Sequence, residues 1–426
     1  MSWSVVAISL MAAGCAQQLP MPAPPVQTSD RAVRPAAAGP ETVLYRFQGG
    51  KDGANPEPLL TNVSGVLYGT TLYGGGAAAC SAGCGTVFKI SSSGSGYSSM
   101  YAFKGGPSDG QYPGAGFLQL GSLLYGTTQY GGGASACAKN NGCGTVYSIG
   151  PTGTSDHVLH AFQGGTEGVA PSSELVAVGS TLYGTTFFGG SPTGCAPYHL
   201  GCGTIFSMTT AGVAKTAFRF AGGSDASSPL APLIAVNGVL YGTSLRGGGT
   251  ACGGGGCGTI FSFDPVKGTD KVLFTFLGGT RYPSGLVNVN GVLYGTASGE
   301  KNNTGEVFRY SIATGKVSYA YVFKGGSDGS GPSSGLTAIG NDLYGVTQFG
   351  GGQGCATSYS LGCGTVYHVT IAGAENVVYA FAGGSDGSAP QNGLTAVNGM
   401  LYGTTYQGGG TGCQGGGCGT VYSVKP

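Results

Sequence analysis

The sequence predicts an all-β fold, a seven-bladed β-propeller with four-stranded blades. Three observations carry that expectation. The phrase Leu67-Tyr68-Gly69-Thr70 returns at Leu124, Leu182, Leu240, Leu293, Leu343 (as Leu-Tyr-Gly-Val) and Leu401, at intervals of 57, 58, 58, 53, 50 and 58 residues. A period of that size belongs to propellers or solenoids. Each unit holds four short apolar runs separated by turn residues, and no stretch has a helical period. The chain also starts with one kind of run and ends without it, so pairing the two ends would close a ring and remove the ends that a solenoid must cap.

Residues 97–150 show one unit. Tyr97 to Phe103 is rich in aromatics and is broken by Gly105-Gly106. Pro113 to Leu120 is a second run, ended by Gly121. Leu123 to Thr128 carries the signature, followed by Gly131-Gly132-Gly133 and a cysteine loop. Gly144 to Ile149 is the fourth run. From the axis outward, the Pro-containing run is strand a, the signature is b, Gly-Thr-Val-Phe is c, and the Phe-ending run is d. The Phe-ending runs stop at Phe47, Phe103, Phe162, Phe220, Phe276, Phe323 and Phe381. Strand direction alternates, so the b–c loops and the d–a turns must share one face of the disc.

Composition narrows the function classes. Charged residues are 8% of 426, glycine is 88 residues, and the net charge is +1. There is no electrostatic case for nucleic acid or for an anionic membrane surface. Hydrophobic residues at 41%, placed periodically, argue for a folded body rather than disorder. The sequence divides into residues 1–15 as a signal segment, 16–41 as a Pro/Ala-rich tether, and 42–426 as the propeller. The first segment is apolar and too short to span a bilayer. Its end, Ala12-Ala13-Gly14-Cys15, resembles a bacterial lipobox, which makes Cys15 the expected lipidation site. No Asp follows Cys15, so the outer membrane is the expected location.

Thirteen cysteines less Cys15 leave six close pairs: Cys80/Cys84, Cys137/Cys143, Cys195/Cys202, Cys252/Cys257, Cys355/Cys363 and Cys413/Cys418. Each pair has the same place in its repeat, and the fifth repeat lacks both members. Disulfides suit an exported chain. The competing zinc reading needs four ligands, and each loop offers two sulfurs. Stapled b–c loops either give a rigid recognition surface or merely keep glycine-rich segments ordered.

Two further signals lie on the same face. An acidic turn follows the d strands, at Asp52, Asp109, Asp225, Asp328 and Asp386, with Glu167 as a variant. Asp-Gly is a strong turn former, and these residues are weak calcium candidates. Aromatics enter the b–c loops at Tyr73, Tyr130, Phe188 and Phe349, with Arg246 in the fourth blade. They either form a binding face or cover glycine-rich loops. Blade five departs from the pattern with Arg281-Tyr282 in its turn and a shortened loop, a candidate binding notch.

No phosphate loop, dinucleotide fingerprint or nucleophile motif is present. Glu57, Glu174 and Asp342 occur outside the periodic positions and match no motif. No catalytic residue, cofactor or metal is assigned, and a monomer is expected.

Leu67 to Ile90 reads Leu-Tyr-Gly-Thr-Thr-Leu-Tyr-Gly-Gly-Gly, a variable cysteine-containing stretch, then Gly-Cys-Gly-Thr-Val-Phe-Lys-Ile. This resembles the GloVer tandem repeat of choice-of-anchor bacterial proteins. The resemblance implies an exported, anchored repeat protein and assigns no activity. The expectation is a lipid-anchored binding or scaffold module for a glycan or a protein partner. The alternative is a hydrolase or lyase acting on an envelope or extracellular polymer.

Overall fold

The computed structural model describes residues 41–426, apart from 154–156, 191–194, 196–199, 279–280, 300–303, 353 and 356–361. Cys15 and most of the tether lie outside the described residues. Seven antiparallel sheets form seven blades. In blade 2 the order from the axis is Gly110–Pro113 with Leu118–Leu120, then Leu123–Gly131, Thr145–Ile149 and His157–Ala161. These are strands a to d as the sequence ordered them. In blade 7 the outermost strand is Glu41–Arg46, which pairs antiparallel with Thr420–Val424.

The signature phrase is explained by what lies across from it. Its glycine pairs directly with the aromatic of strand c: Gly69 with Phe88, Gly126 with Tyr147, Gly184 with Phe206, and likewise in the other blades. The ring lies over the glycine. A Cβ at Gly69, Gly184 or Gly295 would meet the facing Phe Cζ at 2.5 Å. Only glycine leaves that space.

The same ring joins adjacent blades. The Phe that ends strand d of one blade meets the strand c aromatic of the next, edge to face. Phe47–Phe88, Phe103–Tyr147, Phe162–Phe206, Phe220–Phe261, Phe276–Phe308, Phe323–Tyr367 and Phe381–Tyr422 have centroids 4.9–5.2 Å apart. Such pairs contribute about 0.5–1.5 kcal/mol each beyond area burial. Contact Phe47–Phe88 runs from blade 7 to blade 1, so the aromatic series closes on itself.

A second series runs nearer the axis. The glycine before strand c has positive φ, +97° at Gly85 and +103° at Gly144, and faces the strand a proline of the next blade. A Cβ there would lie 2.5 Å from Pro113 Cδ and Pro171 Cδ, respectively. The N–H before that proline donates back to the preceding blade: Asn55 to Cys418 O, Tyr112 to Cys84 O and Ala389 to Cys363 O, each at 2.8 Å. Hydroxyl pairs tie strand b to strand c in six blades, as in Thr71–Thr86 and Thr128–Thr145 at 2.7 Å. In blade 5, Ala297 faces the buried Glu306 at this position.

The six expected disulfides form: Cys80–Cys84, Cys137–Cys143, Cys195–Cys202, Cys252–Cys257, Cys355–Cys363 and Cys413–Cys418, with Cα atoms 4.9–5.3 Å apart. The b–c loops and d–a turns do share a face. Gly75 N–H donates to Gly50 O, Gly132 to Gly106 O and Gly409 to Gly384 O.

Gly184→Ala should push on the Phe206 ring and lower stability by about 1–3 kcal/mol. Urea midpoints would show it, and a loss under about 0.5 kcal/mol would sink this account of the signature.

Candidate functional site

The loop face is rigid for local reasons. Each staple closes a loop of four to eight residues in sequence separation, worth about 2–2.5 kcal/mol in the chain-entropy account. The stapled loops turn their sulfurs inward. The second cysteine of each pair, Cys84, Cys143, Cys202, Cys257, Cys363 and Cys418, is buried at 0 or 1% exposure. The reason is its place in the chain. Each directly precedes the glycine that leads into strand c, so the chain carries it down into the junction between blades. Cys202 packs in one cluster with Phe220, and Cys257 in another with Phe276. Those phenylalanines end strand d of the same blades. The sulfurs also pack on the turn leading into the next blade. A Cβ at Gly105 would lie 2.8 Å from Cys84 Sγ, and one at Gly164 would lie 2.9 Å from Cys143 Sγ. The staples therefore brace the face from beneath.

The acidic turns are hydrogen-bonded from within. Asp52 accepts from Tyr45 Oη at 2.7 Å and from the Gln48 N–H at 2.7 Å. Asp328 and Asp386 have the same arrangement with Tyr321 and Lys324 N–H, and with Tyr379 and Ala382 N–H. Asp109 accepts from Tyr101, Lys104 N–H and Gly110 N–H. Asp225 accepts from the Ala221 and Ala226 N–H groups. In blade 3, Glu167 meets His160 in place of the tyrosine, at 2.7 Å. Burial raises the Glu167 pKa, but hydrogen bonds from His160 and the Gln163 N–H outweigh it and hold the carboxyl below its ordinary range. The oxygens of these weak calcium candidates serve the turns. Among the described residues, no three His, Cys, Asp or Glu side chains are grouped to hold a metal ion.

The aromatic face needs correction. Tyr130 and Phe188 are only 2% and 5% exposed. They belong to an apolar cluster with Tyr112, Phe187 and Leu245, against which Tyr73, Leu230 and Tyr282 pack half-buried. Tyr112 meets Tyr73 at 5.5 Å and Tyr130 at 6.1 Å, both edge to face. The cluster joins strand a starts to strand b ends across blades 1 to 5, which places it around the axial opening on the loop face. The physical reason for the burial is this convergence: strand b ends near the axis, where neighbouring blades crowd. Tyr73, Tyr282, Phe349 and Arg246 keep partial exposure. Arg281 opens its blade's inner strand, its backbone paired with Gly299.

The structure adds two residues to this opening. In blade 6 the residues just after the strand a proline alternate: Ser333 and Gly335 are half-exposed, and Ser334 and Leu336 are buried. Among the described residues no strand lies inside strand a, so the half-exposed positions face the axis. Glu57 and Glu174 occupy such positions, where other blades place Gly, Leu, Ser, Pro or Gln. Burial pushes both carboxyls up to about 7. A Cβ at Gly116 would lie 3.1 Å from Glu174 Oε2 and 3.1 Å from Leu59 O, so Glu174 reaches across its neighbours. Tyr406 is within electrostatic reach of both Glu57 and Tyr73, which links Glu57 to the aromatic collar. The sequence signal was available: these acids stand at inner-strand positions that are uncharged in the other blades. Asp342, another acid outside the acidic turns, instead binds His368 at 2.8 Å on blade 6, and His368 in turn meets Asn376 at 2.8 Å.

Solved structures with this architecture include an oligogalacturonate lyase from Vibrio parahaemolyticus, 8% identical over 90% of this chain and 93% of that one, with a TM-score of 0.57. An oligogalacturonate lyase in complex with manganese is 9% identical over 90% and 89%, with a TM-score of 0.52. At such identity the likeness concerns the fold alone. No curated protein matches the chain. The repeat itself is diagnostic: the family model of the Gloeobacter/Verrucomicrobia repeat matches residues 133–359, just over half of the sequence, and the chain belongs to that family.

Proposed function

We propose that this propeller is a lipid-anchored binding module that works outside the cytoplasm and takes a glycan or a protein partner at the axial opening of its loop face. Six disulfides and the repeat family support a role outside the cytoplasm. The observation that carries the reading is the collar of half-buried Tyr73, Tyr282 and Tyr406 beside Glu57. Partly exposed aromatics on a stapled frame offer contact area at little ordering cost. The carboxyls and the Ser333 and Gln391 side chains at half-exposed inner positions offer hydrogen bonds to hydroxyl or amide groups. Cys15 supplies the anchor, and the Pro/Ala-rich segment after it holds the body off the membrane.

A second reading rests on the acids. Two carboxyls near pKa 7 are poised for general acid and base work at neutral pH. They support the alternative of a hydrolase or lyase acting on a polymer.

Three outcomes are expected. Tyr73→Ala should weaken binding on a glycan array or to a captured partner at least about fivefold; unchanged binding would overturn the collar as the site. Cys15→Ser should release the protein from the membrane fraction; continued association would sink the anchor. Glu57→Gln and Glu174→Gln should leave envelope polysaccharides as intact as the native protein leaves them. Reducing ends or unsaturated products released by the native protein, and lost in either variant, would replace binding by catalysis.

A further inference from the structure

Three blades carry a second carboxyl against the acidic turn. Glu41, Asp270 and Glu375 each stand six residues before a strand-ending phenylalanine, and Asp386, Asp225 and Asp328 each stand five residues after one. Asp270 is within hydrogen-bonding reach of Asp225, as Glu375 is of Asp328. Glu41 lies within electrostatic reach of Asp386. The turn aspartates already accept backbone N–H bonds, and two of them also accept a tyrosine hydroxyl. They have no hydrogen to offer, so one shared with the partner must come from the partner. Glu41 Oε1, Asp270 Oδ2 and Glu375 Oε1 are buried and meet no donor. A buried carboxylate oxygen without a donor is costly, and the neutral acid much less so.

We propose that these pairs are proton-held clasps between the rim turn and the outer strand of blades 4, 6 and 7, and that they make the ring most stable in mildly acidic surroundings. In blades 4 and 6 the clasp is a carboxylic O–H donated to the turn carboxylate, and in blade 7 the proton on Glu41 spares Asp386 a like charge beside it. Loss of a clasp releases one proton to solvent and leaves two like charges side by side. The surrounding groups favour the neutral form. Glu41 faces Asp386, Arg46, Tyr379 and Tyr422. Glu375 faces Asp328, Tyr321, Lys324 and Tyr367, and Asp270 faces Asp225. Burial first, and the neighbouring carboxylate second, push Glu41 and Asp270 up to about 7; burial and Asp328 do the same for Glu375. Arg46 at Glu41, and the Tyr321 hydroxyl and then Lys324 at Glu375, pull the other way and do not prevail. The folded state therefore holds protons that the unfolded chain releases near its ordinary carboxyl range, about 4 to 4.5. Stability from the clasps is complete below that range and is lost as pH rises through about 7. Blade 1 makes the same junction without an acid. Tyr97 takes the position, stacks on Tyr45 at 3.5 Å and donates to Asp52 O at 2.8 Å.

The test is the melting temperature of the full chain between pH 5 and pH 8.5, native against Glu41→Gln/Asp270→Asn/Glu375→Gln. The amides keep a donor and do not titrate. The native Tm should fall by several degrees across this range, and the variant's fall should be smaller, with the variant melting above the native protein at pH 8. Equal pH slopes would overturn the proposal, because Glu57 and Glu174 would then account for the dependence. Calcium chloride at pH 8 distinguishes a cation clasp. A rise in the native Tm that the variant lacks would also overturn the proton. Should the variant fail to fold, the infrared carboxylic-acid band of the Glu57→Gln/Glu174→Gln protein, which keeps the three rim acids and lacks the two axial ones, decides: loss of that band by pH 6 would overturn the clasps, and its persistence supports them.

Discussion

Each strand c aromatic fills the space left by a glycine that has no side chain, and its edge meets the phenylalanine ending the previous blade. The contact does two jobs. Within a blade it sets the register of strands b and c, because only the glycine can sit beneath the ring. Between blades it sets the angle at which one sheet meets the next. Repeated seven times and closed by Phe47 on Phe88, it needs no capping repeat. The glycine–proline contacts near the axis and the backbone N–H bonds to the preceding blade hold the same junctions on the inner side. Buried apolar contact is thus distributed around the ring rather than gathered in one centre, as expected of a repeat architecture.

This frame explains the composition. A propeller with so few charged residues uses glycine where backbones cross and uses paired hydroxyls where strands meet. Its carboxyls are mostly structural, serving the rim turns. That leaves the inner strands as the place where a charge stands out. Glu57 and Glu174 break the pattern of their own repeat position, and burial raises their pKa toward physiological pH. The loops above them are stapled, so the opening is preformed. The same desolvation acts at the rim and at the axis, but with different partners. At the rim a second carboxylate takes the proton's hydrogen bond. At the axis the acids have solvent on one side.

Much of the fold was legible in the chain alone. The period, the four runs per unit and the complementary ends determined a closed seven-bladed ring with the observed strand order. Cysteine spacing determined the disulfides, because partners so close in sequence have few alternatives. The shared face of loops and turns followed from strand alternation. Depth was decided only by the tertiary structure. Tyr130 and Phe188 look like surface residues because they flank glycine-rich loops, yet the strand ends converge on the axis and neighbouring blades cover them. Cys202 and Cys257 look like loop residues for the same reason, and they end beneath the face, against Phe220 and Phe276. Tyr73 has the same sequence position as Tyr130 and remains half-buried, a difference made by residues from other blades. The pairing of Glu41 with Asp386 joins residues 345 positions apart in the numbering, and Glu57 meets Tyr406 only because the ring closes. Local pattern determines strands and turns; which side chains face water, and which acids share a proton, depends on contacts between blades that exist only after closure.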